Sequence, residues 1–254
     1  GNKQSFGPVI NAGNAIWEDA AYYGNTNALL DNRGTLTLQG GGYFNSYYGI
    51  MTFNNSGLFR KTSGTITEVN AVFNNSGIVE VLGGRLLLNN GGTDSGEFFV
   101  DTNALVAFAA DIHQLQAGAR LTGPAGLFLV GDGPRYAALD VPEGSTLPVD
   151  GNLALHYPGA LTGQGTVAVS GGQFEWSGGA IRCAVEVSPE PGTLVINGAN
   201  NKQISGALLN RGSGVWLDGN IYPEKGSRFE NSGTFTIQCD RMVTRYYDIL
   251  DLYN

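Results

Sequence analysis

The chain has 254 residues, 39 of them Gly, with 42 % hydrophobic and only 14 % charged residues, a formal charge of −8 and a pI near 4.7. Glycine without a Gly-X-Y period excludes collagen, and the ample Phe and Tyr exclude a disordered chain. Lys and Arg never cluster beyond Arg60-Lys61, which excludes a nucleic-acid footprint and electrostatic docking on anionic lipid.

No stretch approaches the ~20 apolar residues that span a bilayer, so no membrane insertion is expected. The chain begins Gly1-Asn2-Lys3, with neither an initiator Met nor the apolar centre of a signal peptide. That start fits a mature protein or one part of a longer chain or assembly. Residues 1–28 contain Trp17, Tyr22 and Tyr23 and read as an N-terminal cap or first coil.

From residue 29 a five-residue phrase recurs. It appears as Leu30-Asp31-Asn32-Arg33-Gly34, Phe53-Asn54-Asn55-Ser56-Gly57, Phe73-Asn74-Asn75-Ser76-Gly77, Leu208-Leu209-Asn210-Arg211-Gly212 and Phe229-Glu230-Asn231-Ser232-Gly233. Gly92 to Gly96 and Leu161 to Gly165 are looser copies. Anchor glycines 57, 77 and 96 stand 20 and 19 residues apart, so the unit is about 20 residues. Two residues past the anchors sit Leu36, Phe59, Val79, Phe98, Phe128, Val167 and Phe235. Four past them sit Leu38, Val81, Val100, Val130, Val169 and Ile237, with Lys61 as the exception. This period of two marks strands with one buried face.

A unit this short, with two or three strands and no helical pattern, cannot bury its own apolar face. Stacked copies can, because each coil covers its neighbour. The expected fold is therefore all-β: a single right-handed parallel β-helix over residues 29–239, of roughly ten to twelve coils and ~50–55 Å long. Asn32, Asn55, Asn75, Asn210 and Asn231 share one slot, with Asp94 as a substitute. They read as structural corners, because Asn tolerates the left-handed conformation and stacked amides bond from coil to coil.

The phrase, its alternating strand and its Gly-Gly turns resemble the degenerate β-helical repeats of large bacterial surface proteins, autotransporter passengers and filamentous-haemagglutinin-like adhesins among them. The resemblance implies a secreted or cell-surface stalk, adhesin or carrier, and transfers no catalytic residue. Fold analogy alone does not establish function.

Tyr22-Tyr23 and Tyr47-Tyr48 lie 25 residues apart, about one coil, with Tyr43 close by; together they form a candidate aromatic strip for polysaccharide. Gly131-Asp132-Gly133-Pro134-Arg135-Tyr136, followed by Asp140, interrupts the rhythm. It is the one candidate for an acid and a base in an alternative reading as a polysaccharide lyase or glycoside hydrolase, although Asp-Gly and Gly-Pro are also turn signals. Asn-Thr-Asp, Asp-Asp and Gly-His-Gly are absent, and His113 and His156 stand 43 residues apart. Phosphate-loop and calcium-repeat motifs are absent too. Cys183 and Cys239 match no metal spacing, and nearly three coils between them leave both reduced unless the C-terminal segment folds back. No cofactor or metal is expected.

Residues 240–254 drop the glycines. Met242, Val243, Tyr246, Ile249 and Leu252 fall at mixed steps, consistent with a capping helix, a terminal strand or a partner-binding tail. An uncovered end would let copies of the chain stack into a filament. The leading expectation is a structural or adhesive segment of a bacterial extracellular or cell-surface protein, with polysaccharide or copies of itself as partners.

Overall fold

The computed structural model describes residues 1–244 and 250–254, and these fold into thirty-three short strands with no helix. Each coil lays down three strands in turn. Leu29–Asn32, Thr52–Asn55 and Val72–Asn75 belong to one side of the rod, here face I. Thr35–Leu38, Leu58–Lys61 and Ile78–Val81 form face II, and Ala20–Gly24, Gly42–Ser46 and Ile66–Asn70 form face III.

All strand pairings are parallel and join one coil to the next. Phe53 lies beside Phe73, Phe59 beside Val79 and Phe44 beside Val69. Face I is an 11-stranded sheet, while faces II and III share a 22-stranded one. They merge because Arg120–Val130 and Thr146–Leu155 run around the corner, with a register shift between Thr122 and Leu127. The protein is a single parallel β-helix of about 12 turns. Coil length is uneven: Thr166 sits beside Ala184, a coil of 18 residues, and Leu121 beside Val149, a coil of 28.

The core lies inside the coils. Phe44, Phe53, Phe59, Phe73, Phe98 and Phe108 are fully buried and stack from coil to coil, with Phe53 and Phe73 ring centroids 5.1 Å apart. Further along the rod Leu139, Leu153, Leu161, Val167 and Val185 take over. Phe235 is only half-buried and Ile237 is 60 % exposed, since among the described residues their strand pairs on one side only, with Ser213–Trp216.

The anchor glycines are required by close approach, not by unusual dihedrals. A Cβ on Gly57 would lie 2.1 Å from the Gly34 carbonyl oxygen, and one on Gly77 would lie 2.2 Å from that of Gly57. The same contact separates Gly233 from Gly212, at 2.0 Å. Gly34, Gly57, Gly77 and Gly96 turn the corner from face I to face II, whereas Gly212 and Gly233 turn the corner from face II to face III. One sequence phrase thus serves two corners, since both need an inward Asn and, two residues on, a residue with no side chain.

The Asn positions depart from expectation in one respect. Positive φ among the described non-Gly residues is confined to Asn27, Asn103 and Asp111. Asn32, Asn55, Asn75, Asn210 and Asn231 instead end their strands with ordinary dihedrals, the first four buried and Asn231 half-buried. The amide ladder is present. Asn11 Nδ2 donates to Asn32 Oδ1 at 2.7 Å, Asn32 to Asn55 at 2.7 Å, and Asn55 to Asn75 at 2.8 Å. Asn210 donates to Asn231, and Asn231 to Asn254, at 2.8 Å each. Buried amides are tolerated where their polar atoms find partners, as those of Asn32, Asn55 and Asn75 do; Asn210 Oδ1 is the exception, buried without one.

Residues 1–28 pair into the same ladders, with Lys3 beside Tyr22 and Val9 beside Leu30. Near the other end Val243 bridges Ile221, and Asp251–Tyr253 pairs with Arg228–Glu230. Tyr246 and Ile249 fall outside the described residues. The last coils surround an apolar hollow of about 260 Å³ between Trp216, Phe229, Phe235, Leu250 and Leu252. Cys183 and Cys239 are free thiols, and burial pushes the Cys183 thiol up to about 12.

Candidate functional site

The loop of residues 131–136 is a buttress between coils. Asp132 pairs with Arg85, while Arg135 donates to Asp111 Oδ2 at 2.8 Å and to the Asn89 carbonyl at 3.1 Å. Both charges therefore reach back to earlier coils and hold the corner between faces III and I. Asp140 lies on the Ala137–Val141 strand and accepts a hydrogen bond from Thr162 Oγ1 at 2.9 Å. Asp132, Arg135 and Asp140 thus each engage partners of their own, and no proton-transfer pair forms among them.

The histidines part company. His113 is fully buried, its Nδ1 2.7 Å from Asp94 Oδ2 and its ring edge-on to Phe108 at 4.9 Å. Asp94 occupies the Asn slot and also accepts the Asn75 backbone N–H. His156 lies on the surface, 4.0 Å from Glu175. Among the described residues no cluster of three or more His, Cys, Asp or Glu could hold a metal ion.

Two buried lysines were not anticipated. Lys61, the break in the apolar pattern, points inward and is fully buried; its ammonium donates to the Ser63 and Gly83 carbonyls. Lys202 is equally buried and donates to the Gly198 and Asn200 carbonyls at 2.8 and 3.1 Å. Burial disfavours the charged form and pulls both from 10.5 down to about 8. Their long apolar stems fill the core while the ammonium satisfies corner carbonyls, a structural role.

The tyrosines divide. Tyr22 belongs to the core, 4 % exposed, with its hydroxyl 2.5 Å from Ser5 Oγ and its ring packed on Trp17 and Phe44. Tyr23, Tyr47 and Tyr48 form a surface ledge at the corner between faces III and I. Tyr23 and Tyr47 meet edge to face at 5.8 Å, and Tyr47 and Tyr48 at 4.4 Å. Tyr47 holds the Tyr48 phenol above its ordinary 10.0. Backbone bonds across coils fix the ledge: Tyr47 N–H donates to the Gly24 carbonyl at 2.8 Å, and Thr26 Oγ1 to the Tyr48 carbonyl at 2.7 Å. Tyr48 is 72 % exposed and Tyr47 54 %. Tyr43 stands beside them on face III, where it and Tyr23 line an open groove with Asp19 and Ile66.

No protein-family model, curated protein or solved structure matches the chain. The site therefore has to be read from its own chemistry. The ledge offers exposed phenol rings held by coil-to-coil bonds, a combination suited to a flat ligand that is apolar on its face and polar at its rim.

A second aromatic group joins Tyr136 of the 131–136 loop to Tyr157, which nothing in the sequence singled out. Tyr136 and Tyr157, 44 % and 67 % exposed, line a hollow on face I together with Arg182, Asn201 and Gln203. They stand 21 residues apart, the same one-coil spacing that singled out the N-terminal tyrosines, but without the doubled Tyr that made the first group visible.

Proposed function

We propose that the protein is a rod-like adhesive scaffold of an extracellular or cell-surface assembly, which contacts polysaccharide through aromatic side chains on its flank. The observation that carries the reading is the Tyr23–Tyr47–Tyr48 ledge, three packed aromatic rings held in the open by coil-to-coil backbone bonds. Rings already ordered in the free protein lose little conformational entropy on binding. The rod supports this role. Its three ladders run through about 12 turns, so a contact on one coil keeps its place relative to those on the others.

The test is a glycan array with wild type and Tyr48→Ala, alongside an assay for new reducing ends and unsaturated products. The reading expects retention on polysaccharide, weakened roughly tenfold by Tyr48→Ala, the loss of about one stacked ring, with no turnover. Turnover, or binding indifferent to Tyr48→Ala, would overturn it.

A further inference from the structure

The hollow on face I continues along the rod. Ala138, Ala160, Ala180, Gln203 and Tyr222 stand in register on successive coils; the three alanines are buried as a cluster of their own, Gln203 is exposed and Tyr222 half-buried. Gly159, Gly179 and Ala180 leave a trough of about 400 Å³ between Tyr157 and Arg182. Asn201 and Gln203 are shared with a second hollow of about 270 Å³, which extends to Tyr222 and Glu224. The trough thus crosses five coils, a length of ~19 Å at the strand spacing of a sheet.

Charge singles out one residue. Eight described arginines each have a carboxylate partner: Asp31, Glu80, Asp132, Glu97, Asp111, Glu186, Glu230 and Asp218. Arg182 is exposed and is the one described arginine without such a partner. In a chain of charge −8, where the other described guanidinium groups are neutralised, an uncompensated one stands out between two exposed tyrosines and two amides. The other charges near the trough are Glu224 at its far end, Asp140 bonded to Thr162, and the Arg135–Asp111 pair.

The backbone decides which kind of chain fits. The trough lies on the outer surface of a sheet whose N–H and C=O groups are committed to neighbouring coils. A peptide could not add to it as an extra strand, the usual way an extended peptide binds a sheet. A chain of sugar rings brings its own hydroxyls to Asn201 and Gln203 and its ring faces to Tyr136 and Tyr157. A planar guanidinium matches a carboxylate through two parallel hydrogen bonds.

We propose that this trough is a second glycan site, which binds an extended chain with a uronic-acid carboxylate on Arg182 and an uncharged ring towards Glu224. It uses none of the ledge residues and stands independently of them.

The experiment is calorimetric titration of the full chain with an oligosaccharide of alternating uronate and N-acetylhexosamine units, and with its methyl ester. The expected result is binding of the acid form, with a loss of at least tenfold on esterification. Arg182→Ala should show the same loss and no further discrimination between acid and ester, with Arg182→Lys intermediate. Arg182 makes no ion pair among the described residues, so its replacement should leave the unfolding midpoint unchanged. Tyr157→Ala should weaken binding and Tyr47→Ala should not. Equal affinity for acid and ester, full binding by Arg182→Ala, or no binding by wild type would each overturn the proposal. Loss in Tyr47→Ala but not Tyr157→Ala would place the ligand on the ledge and overturn it as well.

Discussion

The two asparagines of Phe53-Asn54-Asn55-Ser56-Gly57 differ only in the face they occupy, and this makes a quantitative test of the amide ladder. Asn55 points inward and carries three side-chain bonds. It donates to Asn75 Oδ1 at 2.8 Å and to the Ile78 carbonyl at 3.0 Å, and accepts from Asn32 Nδ2 at 2.7 Å. At about 1 kcal/mol net each, Asn55→Ala removes about 3 kcal/mol. Asn32 keeps the Leu58 carbonyl as acceptor and Asn75 Oδ1 keeps the Gly77 N–H, so the further penalty for unsatisfied groups is small. Asn54 points outward and accepts one bond, from Asn74 at 2.9 Å in a half-exposed setting. Asn54→Ala should therefore lose less than about 1 kcal/mol. Urea unfolding followed by far-UV circular dichroism measures both. In a stacked-coil protein stability sums over neighbouring units, so the broken rung should also raise hydrogen exchange locally, in the coils holding Asn32 and Asn75. Adding Asn75→Ala to Asn55→Ala should cost less than its effect alone, because the shared bond is already gone. If Asn55→Ala and Asn54→Ala are equally mild, the ladder does not stabilise the rod and the argument fails.

Two further outcomes follow from the core. Gly77→Ala places a Cβ 2.2 Å from the Gly57 oxygen and 2.7 Å from the Ser56 carbonyl carbon, both backbone atoms. It should cost about 3 kcal/mol or more, against within ~0.5 kcal/mol for Gly64→Ala, where a Cβ meets nothing within 4 Å; thermal unfolding midpoints distinguish the two. Lys61 and Lys202 set a pH dependence through their folded values of about 8 against 10.5. Between those pH values the unfolded chain holds protons that the folded chain has released, so stability rises with pH across the window and is lost as pH falls through 8. The gain is up to about 3 kcal/mol per lysine, read as denaturant midpoints at pH 8 to 10.5; a slope equal to that of the Lys61→Met, Lys202→Met double variant would refute it.

Much of the architecture was legible along the chain. Alternation after each anchor glycine assigned Phe59, Val79, Phe98 and Val167 to the core, since a period of two is a local property of a strand. The 20-residue recurrence implied stacking, and the shared Asn slot implied a ladder, because each coil repeats the same local demand. The glycines showed where the chain turns but not why: the carbonyl 2.1 Å from a would-be Cβ on Gly57 belongs to another coil.

Only the tertiary structure decided which residues meet. Coil lengths of 18 to 28 residues destroy any fixed offset, so neither the reach of Asp132 and Arg135 to Arg85 and Asp111 nor the gathering of Tyr157, Arg182 and Gln203 could be counted off. The inward turn of Lys61 was hidden for a related reason, since its carbonyl partners come from a corner and from the next coil. Tyr22 and Tyr23 show the limit at its sharpest. Adjacent in sequence and identical in chemistry, they occupy opposite faces of one strand, and the register of Ala20–Gly24 against Gly42–Ser46 sends one into the core beside Phe44 and leaves the other on the surface. Period and composition are set by local chain geometry; register, and with it the site, is set by packing between coils.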